Sequence, residues 1–499
     1  MLGVILSSFF ATRINKDQPS VCDKSYLEGD LALNGNYLTA AVLNRNWNND
    51  FWTISIFVSS NRGNTWDKVK DLMGTFDDGW NIDTSLYVIT DPSVSIVGDN
   101  PNGFYLIGLV KNKDIDSLNM IVFCRNLTDP RNASYWECYN MHEYNIKNRD
   151  KPWIIGVPGS SRVIGAWMKE DTVFVLTNDN YGAEGWWNIR AIIGGDVMGG
   201  IRFNTPYLTY HNGVFYLAVE ERKPYPKDSV YIHVYYSPDD GNTWDEVPSV
   251  AVRFRRRSLY FHCYMPYSGF TRALKSISGF GLNGLAVAYV HGYGRSDTGV
   301  CNIGVSVSYD GGSSWIDRLI YENSDTVQGN PYLSSSGDTL LVFWIEGDKH
   351  RDSSRVMYGW MDAYGWRNKR VAGAPSYHSD WWYSCNAYQG NHYTNLIVYE
   401  DTVYFYWGGD RSLDVFAFSG GGNAWILRGI LSEITGVYET NKENIANLEV
   451  SNRGLILKNS GRVYSLSGRL VFEGKGRVNL PEGVYFVKVK GKVFKVIVR

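Results

Sequence analysis

Short apolar segments rich in aromatic and β-branched residues recur along the chain, and each is bounded by a turn rich in Gly, Asn, Asp or Ser. Residues 214–219 and 339–344 are two such segments, and no stretch shows the longer period of an amphipathic helix. Aromatic and β-branched residues favour strands, and turns of this composition join strands into antiparallel sheets. The pattern therefore predicts an all-β protein.

One turn sequence follows such a segment three times. It reads Ser-x-Asx-x-Gly-x-Thr/Ser-Trp and runs from Ser59 to Trp66, from 237 to 244 and from 308 to 315. The Asp or Asn side chain is expected to bind the backbone of a tight turn, and the Gly to adopt a conformation that other residues resist. The Ser hydroxyl helps to close the turn, and the Trp is expected to pack beneath it.

This turn resembles the Asp box, also called the BNR repeat, of sialidases and related β-propellers. The resemblance implies a propeller in which each box joins the third strand of a blade to the fourth, on the face away from the ligand. Weaker copies at 125–136, 362–366 and 419–425 extend the series. A second phrase, centred on Pro92, Pro206 and Pro331, marks first strands.

These repeats favour seven blades, and six, the number found in sialidases, is the alternative. The third blade is the least regular, because Trp186 and Trp187 are interpreted as the start of a strand and not as the end of a box. Radial repetition leaves few exposed strand edges, which keeps many short strands soluble. The predicted blades span 25–75, 88–142, 155–200, 202–250, 262–322, 328–373 and 380–431.

Beyond about residue 436 the aromatic residues become sparse, and Val alternates with Lys between Gly turns. Such alternation predicts a sheet with one buried face. Residues 463–471 and 480–499 resemble the type A C-terminal sorting domain of bacterial type IX secretion substrates. The resemblance implies a small β-sandwich that engages the secretion machinery and often leaves the protein attached to the cell surface. A generic immunoglobulin-like accessory module is the alternative.

The predicted domain organisation has three parts. Residues 1–22 are a clipped signal peptide and lead-in, 23–431 the Asp-box propeller, and 432–499 the sorting or attachment β-sandwich. Residues 1–11 form a short apolar run that ends in a small residue, as in a signal peptide, although no basic segment precedes it. An ordinary first strand is the alternative. The prediction is a protein that is secreted or lies on the bacterial cell surface.

Composition excludes several classes of function. A chain of 499 residues is too long for one ordinary hydrophobic core, so two or more domains are expected. The net charge of −2 favours neither nucleic acid nor an acidic membrane as a partner. No apolar run is long enough for a transmembrane helix. None of the six cysteines lies in a CxxC pair. Cys124 and Cys138 flank a turn-rich stretch and either bridge a hairpin or are buried free thiols.

Candidate chemistry lies on the face opposite the boxes, where second strands end and blades connect. A polar ring is predicted there, although polar residues also end strands for structural reasons. Its members are Asn44, Lys111, Asn178, Glu221, His291, Glu346 and Asp410.

Three clusters occupy the predicted connections between blades. They are Asp77 to Trp80 with Asp83, the arginine-rich run 253–257, and His378 to Tyr383. Aromatic planes beside carboxylates suit a sugar site, because apolar sugar faces stack on rings while hydroxyls form hydrogen bonds. A solvated surface loop is the favoured explanation of the arginine run, and packing between blades explains the tryptophan pair equally well.

Sialidases use three arginines on the sugar carboxylate, a Tyr nucleophile with a Glu partner, and an Asp acid/base. The first of these arginines lies in an Arg-Ile-Pro motif, and Arg13-Ile14-Asn15 lacks its proline. The segment from Arg202 to Pro206, followed by Glu221 and Arg222, resembles this motif more loosely. The candidate catalytic residues are Asp380, Glu221 and Arg222. The candidate ligand-binding residues are Arg202, Lys111, His291, Glu346, His378, Trp381, Trp382 and Asp410.

The leading hypothesis is a propeller that binds a glycan or a protein at the mouth of its channel. The rival is an exo-acting glycoside hydrolase of the sialidase type, which a cluster of Arg202, Arg222 and an arginine of 255–257 beside a Tyr–Glu pair would favour. A weaker alternative is an assembly or stability factor for another protein. No cofactor is predicted, and structural calcium bound by Asp and backbone oxygens is left open.

Overall fold

The structure is a computed structural model that places most of the propeller strands and the C-terminal strands. The described residues are 9–15, 24–46, 51–83, 85–114, 119–141, 149–169, 172–194, 202–223, 229–255, 274–293, 300–321, 326–348, 353–362, 365–371, 376–377, 395–409, 423–431, 448–451, 454–465, 470–479, 483–489 and 492–498.

Antiparallel sheets follow one another through the first part of the chain, each made of neighbouring strands in sequence order. Strand β1 (Phe9–Arg13) precedes them. The first sheet contains β2 (Lys24–Asn34), β3 (Tyr37–Asn46), β4 (Phe51–Ser59) and β5 (Asp67–Asp71), and the short hairpin of β6 (Gly74–Thr75) and β7 (Asn81–Ile82) follows it. The second contains β8 (Tyr87–Ile96), β9 (Phe104–Asn112), β10 (Met120–Asn126) and β11 (Glu137–Asn140), with a 3-10 turn at Ala133–Tyr135. The third contains β12 (Arg149–Gly156), β13 (Val163–Lys169), β14 (Thr172–Asn178) and β15 (Asn188–Gly194).

The remaining sheets repeat this order. The fourth contains β16 (Arg202–His211), β17 (Val214–Lys223), β18 (Ser229–Ser237), β19 (Asp245–Glu246) and β20 (Val252–Arg255). The fifth contains β21 (Leu274–Phe280), β22 (Gly284–Tyr293), β23 (Val300–Ser308) and β24 (Ile316–Tyr321). The sixth contains β25 (Thr326–Ser336), β26 (Thr339–Asp348), β27 (Ser353–Asp362), β28 (Gly365–Val371) and β29 (Ser376–Tyr377). The seventh contains β30 (Asn395–Tyr399), β31 (Thr402–Gly409) and β32 (Asn423–Ile430).

The first strands of these sheets form a closed ring. Strand β2 contacts β8, and the contacts continue in order through β12, β16, β21, β25 and β30 and then back to β2. The seventh sheet takes its fourth strand from the start of the chain, since β1 pairs with β32. Antiparallel sheets arranged radially in this way form a β-propeller, and the predicted all-β propeller is confirmed.

Each of the three proline phrases lies at a β-bulge in a first strand. Asp91 and Asn330, which directly precede Pro92 and Pro331, have positive φ angles of 52° and 49°. Proline cannot donate to a strand ladder, and a bulge is a place where a strand can accept it. The register shifts fall between Thr90 and Ser93, Asn204 and Tyr207, and Gly329 and Tyr332.

The box turns have the expected hydrogen bonds. In the fourth sheet the backbone N–H of Gly241 donates to the Ser237 hydroxyl (2.8 Å), and that hydroxyl donates to Asp239 (2.8 Å). Asp239 also accepts from the backbone N–H of Thr243 (2.8 Å). The equivalent bonds occur in the boxes that begin at Ser59 and Ser308.

The third sheet contains a box that the sequence pattern did not identify. The interpretation of Trp186 and Trp187 as the start of a strand is wrong, because β15 begins at Asn188. The Asn178 side chain replaces the box Ser, because its oxygen accepts from the backbone N–H of Gly182 (3.0 Å) and of Asn180 (2.8 Å). Trp187 is buried before β15 and donates to the Tyr139 hydroxyl (2.6 Å). Asn178 therefore ends a third strand and lies on the box side of the sheet, not in the polar ring.

The weak copy at 419–425 does not occupy the position of a box. Trp425 lies in β32, which is the third strand of the seventh sheet, so the segment precedes a third strand and does not follow one. The connection from third to fourth strand is absent from this sheet, because β1 supplies the fourth strand. Trp425 instead stacks on Trp407, with ring centroids 6.1 Å apart.

Cys124 and Cys138 form a disulfide between directly opposite positions of β10 and β11, which confirms the bridged-hairpin alternative. Both side chains are fully buried. Among the described residues, no helix has the length and apolar character needed to cross a bilayer.

The C-terminal strands form a sheet of their own. Its strands are β33 (Leu448–Ser451), β34 (Gly454–Ser465), β35 (Leu470–Asn479), β36 (Gly483–Val489) and β37 (Lys492–Val498), in the order β33-β34-β36-β37 with β35 also on β34. A register shift separates Leu457 from Gly461 where β34 pairs with β35. Leu457, Val463 and Val487 are buried, as the alternating pattern predicts.

Candidate functional site

The strand ends opposite the boxes form one face of the propeller, which we call the candidate face. In the fourth sheet, Phe215 pairs with the box residue Ser237 at one end of β17, whereas Lys223 pairs with Ser229 at the other. Glu221 therefore lies at the candidate face. The same reasoning places Lys111 of β9 and Glu346 of β26 there.

A chain of three side chains begins with Glu221 at this face and crosses the fourth sheet towards Glu246, near the box end. The Nε2 atom of His233 lies 2.9 Å from Oε2 of Glu221, and its Nδ1 atom lies 2.7 Å from Oε1 of Glu246. Glu221 is 8% exposed, His233 15% and Glu246 43%. The imidazole thus connects a buried carboxylate to a partly solvated one.

Aromatic and cationic groups surround this chain. Tyr231 stacks on the imidazole of His233 with centroids 6.2 Å apart, and the Arg253 guanidinium lies 5.3 Å from the centre of the Tyr231 ring. Tyr235 is near both carboxylates. Burial raises the pKa of Tyr235 above its ordinary value, and the negative charges of Glu246 and Glu221 raise it further. The phenol therefore stays protonated beside the chain.

A second buried carboxylate lies in the sixth sheet. Oε2 of Glu346 accepts a hydrogen bond from Nε2 of Gln328 (3.1 Å), and Oε1 of Gln328 accepts one from the backbone N–H of Ile303 (3.3 Å). Glu346 and Gln328 are buried. These bonds fix the amide orientation and join the fifth sheet to the sixth.

The second sheet contributes a cation to the candidate face. Nζ of Lys111 lies 3.8 Å from a carboxylate oxygen of Asp91, which is buried at the bulge of β8. The Lys111 side chain is 39% exposed. Its ammonium group is thus held near one carboxylate while remaining accessible to a ligand.

The other predicted site residues are only partly placed. Register pairs Arg202 with Arg222 across β16 and β17, and His291 with Asn302 across β22 and β23. These positions are at the candidate end of their strands. Five further candidates lie outside the described residues: His378, Asp380, Trp381, Trp382 and Asp410.

The acidic cluster after the first sheet has a structural role. Asp77 accepts from the backbone N–H of Cys138 (2.5 Å), and Asp78 accepts from those of Asn140 (2.9 Å) and Trp80 (2.8 Å). These bonds cover the outer edge of β11. Edge strands carry unpaired backbone groups, so the two carboxylates satisfy an edge that would otherwise be open.

Several polar and aromatic residues on the first strands were not anticipated from the sequence. The buried carboxylate of Asp30 accepts from the backbone N–H of Val94 (2.8 Å) and the hydroxyl of Ser93 (3.0 Å). Burial raises the pKa of Asp30 to about 6, although these hydrogen bonds oppose the shift. The Asp30 charge also raises the pKa of the phenol of Tyr332, which burial has already raised well above 10.

Aromatic rings from three different first strands meet at the same depth. Trp153 lies 4.9 Å from Tyr207 and 6.4 Å from Tyr332, measured between ring centroids. All three residues follow the bulge of their strand. The bulges thus turn large side chains from the third, fourth and sixth sheets towards one another, and only the three-dimensional ring reveals this.

Metal ligation has no support in the part of the chain that the structure describes, where no group of three or more His, Cys, Asp or Glu side chains is arranged to hold an ion. The box carboxylates of Asp239 and Asp310 are engaged by turn donors, which lower the pKa of each to about 2.

No protein-family model and no curated protein matches the chain. Solved structures with a similar fold include an α-L-arabinofuranosidase of Fusarium graminearum in complex with an iminosugar inhibitor (11% identity, TM-score 0.43, 85% of this chain and 99% of that chain). Others are the endosialidase of phage phi92 (12%, 0.46, 89% and 72%) and the Trypanosoma rangeli sialidase in complex with sialic acid (11%, 0.41, 96% and 73%). At such low similarity, the assignment of the fold rests on the strand order and the closed ring.

Proposed function

We propose that the protein binds a glycan at the candidate face. The observation that carries this proposal is a pair of buried carboxylates, Glu221 and Glu346, each near the end of a second strand. His233 contacts the first, and Gln328 donates a hydrogen bond to the second. Sugar hydroxyls are good donors to fixed carboxylates, and the Tyr231 ring offers a surface for an apolar sugar face. The exposed ammonium of Lys111 adds a donor of opposite charge.

The proposal is tested with the full chain on an array of oligosaccharides with and without terminal sialic acid. Binding that is lost in Glu221→Gln and Glu346→Gln supports the candidate face. Glu400→Gln is the matched control, because Glu400 pairs with Arg62 at the box side of the seventh and first sheets. Binding that is insensitive to the first two substitutions, or absent from the whole array, contradicts the proposal and redirects the search to protein ligands.

Hydrolysis of a glycoside is the second candidate function. It is favoured by the register of the fourth sheet, which pairs Glu221 with Tyr231, Arg202 with Arg222, and Ser229 with Arg255. Position 255 shares the sheet face of this Tyr–Glu pair, whereas positions 202 and 222 lie on the opposite face, because adjacent strand residues alternate. Glycosidases commonly work with two carboxyl groups, and Asp380 is the proposed partner of Glu221.

The test is release of 4-methylumbelliferone from a panel of glycosides, sialosides included. A hydrolase predicts turnover that Glu221→Gln and Arg222→Ala reduce by about 100-fold or more, as expected when a catalytic acid, base or ion-binding group is removed. Absence of turnover with all substrates, by protein that still binds on the array, rejects hydrolysis and keeps the binding function.

We further propose seven blades, an extracellular location and an attachment role for residues 432–499. The seven blades are supported by the successive four-stranded paths in the described residues, and the location by the buried disulfide. Deletion of residues 432–499 is expected to leave the protein folded but retained inside the producing cell. Normal export of that deletion variant would contradict the attachment role.

A further inference from the structure

The Glu221–His233–Glu246 chain reaches the candidate face at Glu221. We propose that Glu221 is the ligand-contacting carboxylate, that His233 is its positioning residue, and that Glu246 holds His233 from the opposite side. The role of Glu221 toward a ligand rests on the proposed glycan function, whereas the positioning chain itself does not.

Strand geometry explains why the three side chains meet. Glu221 lies opposite Tyr231, and alternate residues of a strand share one face, so His233 emerges on the same face as Glu221. Tyr235 continues this face, and Glu246 of β19 lies opposite it. Three adjacent strands therefore direct a carboxylate, an imidazole and a second carboxylate into a single row.

Hydrogen bonds at both ring nitrogens hold the imidazole of His233 in one orientation. An ionised carboxylate only accepts, so each short contact to the imidazole needs a proton on the ring nitrogen or on the carboxyl group. Nε2 serves Glu221 and Nδ1 serves Glu246, so neither ring nitrogen is left free to turn away. A buried carboxylate is costly without polar partners, so the bond from His233 stabilises Glu221 in this position.

The groups packed around the row are aromatic and cationic. Tyr231 covers a face of the imidazole, Arg253 lies over Tyr231, and Tyr235 is beside both carboxylates. Glu221 itself sits two residues before the end of β17, where the candidate face begins. The chain therefore runs from the partly exposed Glu246 at the outer edge of the sheet towards the ligand side.

Two substitutions of His233 separate the two contacts. The amide nitrogen of Gln can replace Nε2 and keep the bond to Glu221, whereas that of Asn can replace only Nδ1 and keep the bond to Glu246. We expect His233→Gln to bind the best oligosaccharide of the array within about twofold of the unchanged protein. We expect His233→Asn to weaken binding about tenfold or more, because the hydrogen bond that positions Glu221 is lost.

Each substitution removes one hydrogen bond, so the two variants should unfold at similar denaturant concentrations. A purely structural role of His233 predicts that affinity follows stability and does not distinguish Gln from Asn. Equal affinities of the two variants would overturn the positioning role, whereas a loss in Asn alone supports it.

A second measurement needs no ligand. Diethyl pyrocarbonate acylates an imidazole nitrogen whose lone pair is accessible, and both nitrogens of His233 are engaged. Mass spectrometry should show acylation of His233 in the full chain about tenfold slower than in Glu246→Ala, in which Nδ1 is released. Glu400→Ala, on the opposite face, should leave the rate unchanged.

The two measurements separate failure of the inference from failure of the proposed function. If His233 reacts equally fast with and without Glu246, the positioning chain is overturned whatever the array shows. If no oligosaccharide binds, the glycan function and the ligand role of Glu221 both fail, and slow acylation would still support the positioning chain.

Discussion

The Asp30 carboxylate accepts a hydrogen bond from the side-chain amide of Asn395, and this contact joins the first sheet of the ring to the last. The same carboxylate binds Ser93 and Val94 of the second sheet. Asn395 also donates to the carbonyl of Leu31 (3.2 Å). One buried carboxylate therefore connects three sheets at the point where the first strands close the ring.

Asp30→Asn should abolish the fall in the free energy of unfolding that the wild-type protein shows between pH 4 and 7. Burial raises the pKa of Asp30 from 3.8 to about 6, so the folded state holds the proton more tightly than the unfolded state does. This contribution is fully present below about pH 4 and is lost as the pH rises through 6, in total about 3 kcal/mol. Chemical unfolding of the full chain between pH 4 and 7, followed by tryptophan fluorescence, measures it.

The control for this experiment is Ser93→Ala, which removes a donor but keeps the carboxylate. It should be less stable at every pH and retain the fall in stability between pH 4 and 7. A wild-type protein whose free energy of unfolding has the same pH dependence as Asp30→Asn would show that Asp30 does not ionise in this window.

The sequence predicted the repeat better than the ring. The Ser-x-Asp-x-Gly turn is local, because its hydrogen bonds join residues of one short segment from Ser237 to Thr243. Closure by β1 depends on a pairing between Phe9 and Gly429, which no local pattern encodes. The box of the third sheet was missed because Asn178 supplies the same acceptor as Ser with a different side chain.

The candidate site was predicted only in part, for a similar reason. Strand-end counting identified Glu221 and Glu346, because a second strand has a recognisable length. His233 and Glu246 have no motif, and only the register across three strands brings them to Glu221. The acidic run at Asp77 and Asp78 resembled a sugar site, but its carboxylates bind the backbone of a neighbouring edge.

Asn178→Ala should destabilise the third sheet, and Asn178→Ser should largely preserve it. Asn178 is buried, its oxygen accepts from two backbone N–H groups, and its amide donates to the carbonyl of Ala183 (2.8 Å). Alanine leaves these groups without partners, at a cost of about 2–3 kcal/mol. Serine can restore the bond to Gly182, as in the other boxes. Equal unfolding midpoints for the two variants would contradict the assignment of a box here.

Asp78→Asn should lower stability without changing glycan binding. Both carboxylate oxygens of Asp78 accept backbone N–H groups, and an amide can replace only one of them. The expected loss is about 1–2 kcal/mol in the free energy of unfolding. Glu221→Gln is expected to show the opposite behaviour, with weaker binding and little loss of stability. Weaker glycan binding by Asp78→Asn would mean that the acidic cluster takes part in ligand binding.

Loss of the disulfide should destabilise the second sheet by about 3 kcal/mol, as expected for a short closed loop. Cys124 and Cys138 are separated by 14 residues and are buried, so reductant should act only after unfolding. The double variant Cys124→Ala/Cys138→Ala should unfold at lower denaturant concentration than the oxidised protein. Addition of dithiothreitol to unfolding experiments should lower the midpoint of the wild type and leave that of the double variant unchanged.

Two neighbouring glycines in the fifth-sheet box separate backbone strain from packing. Gly311 and Gly312 have φ angles of 68° and 91°, which disfavour any side chain. A Cβ atom at Gly311 would meet no atom within 4 Å, whereas one at Gly312 would lie 2.7 Å from Cβ of Val247. Gly311→Ala should therefore cost about 1 kcal/mol for the left-handed conformation alone. Gly312→Ala should cost about 2–4 kcal/mol, because overpacking is added to the same strain. Urea unfolding of the two variants measures the difference, and equal losses would mean that the box does not pack against Val247.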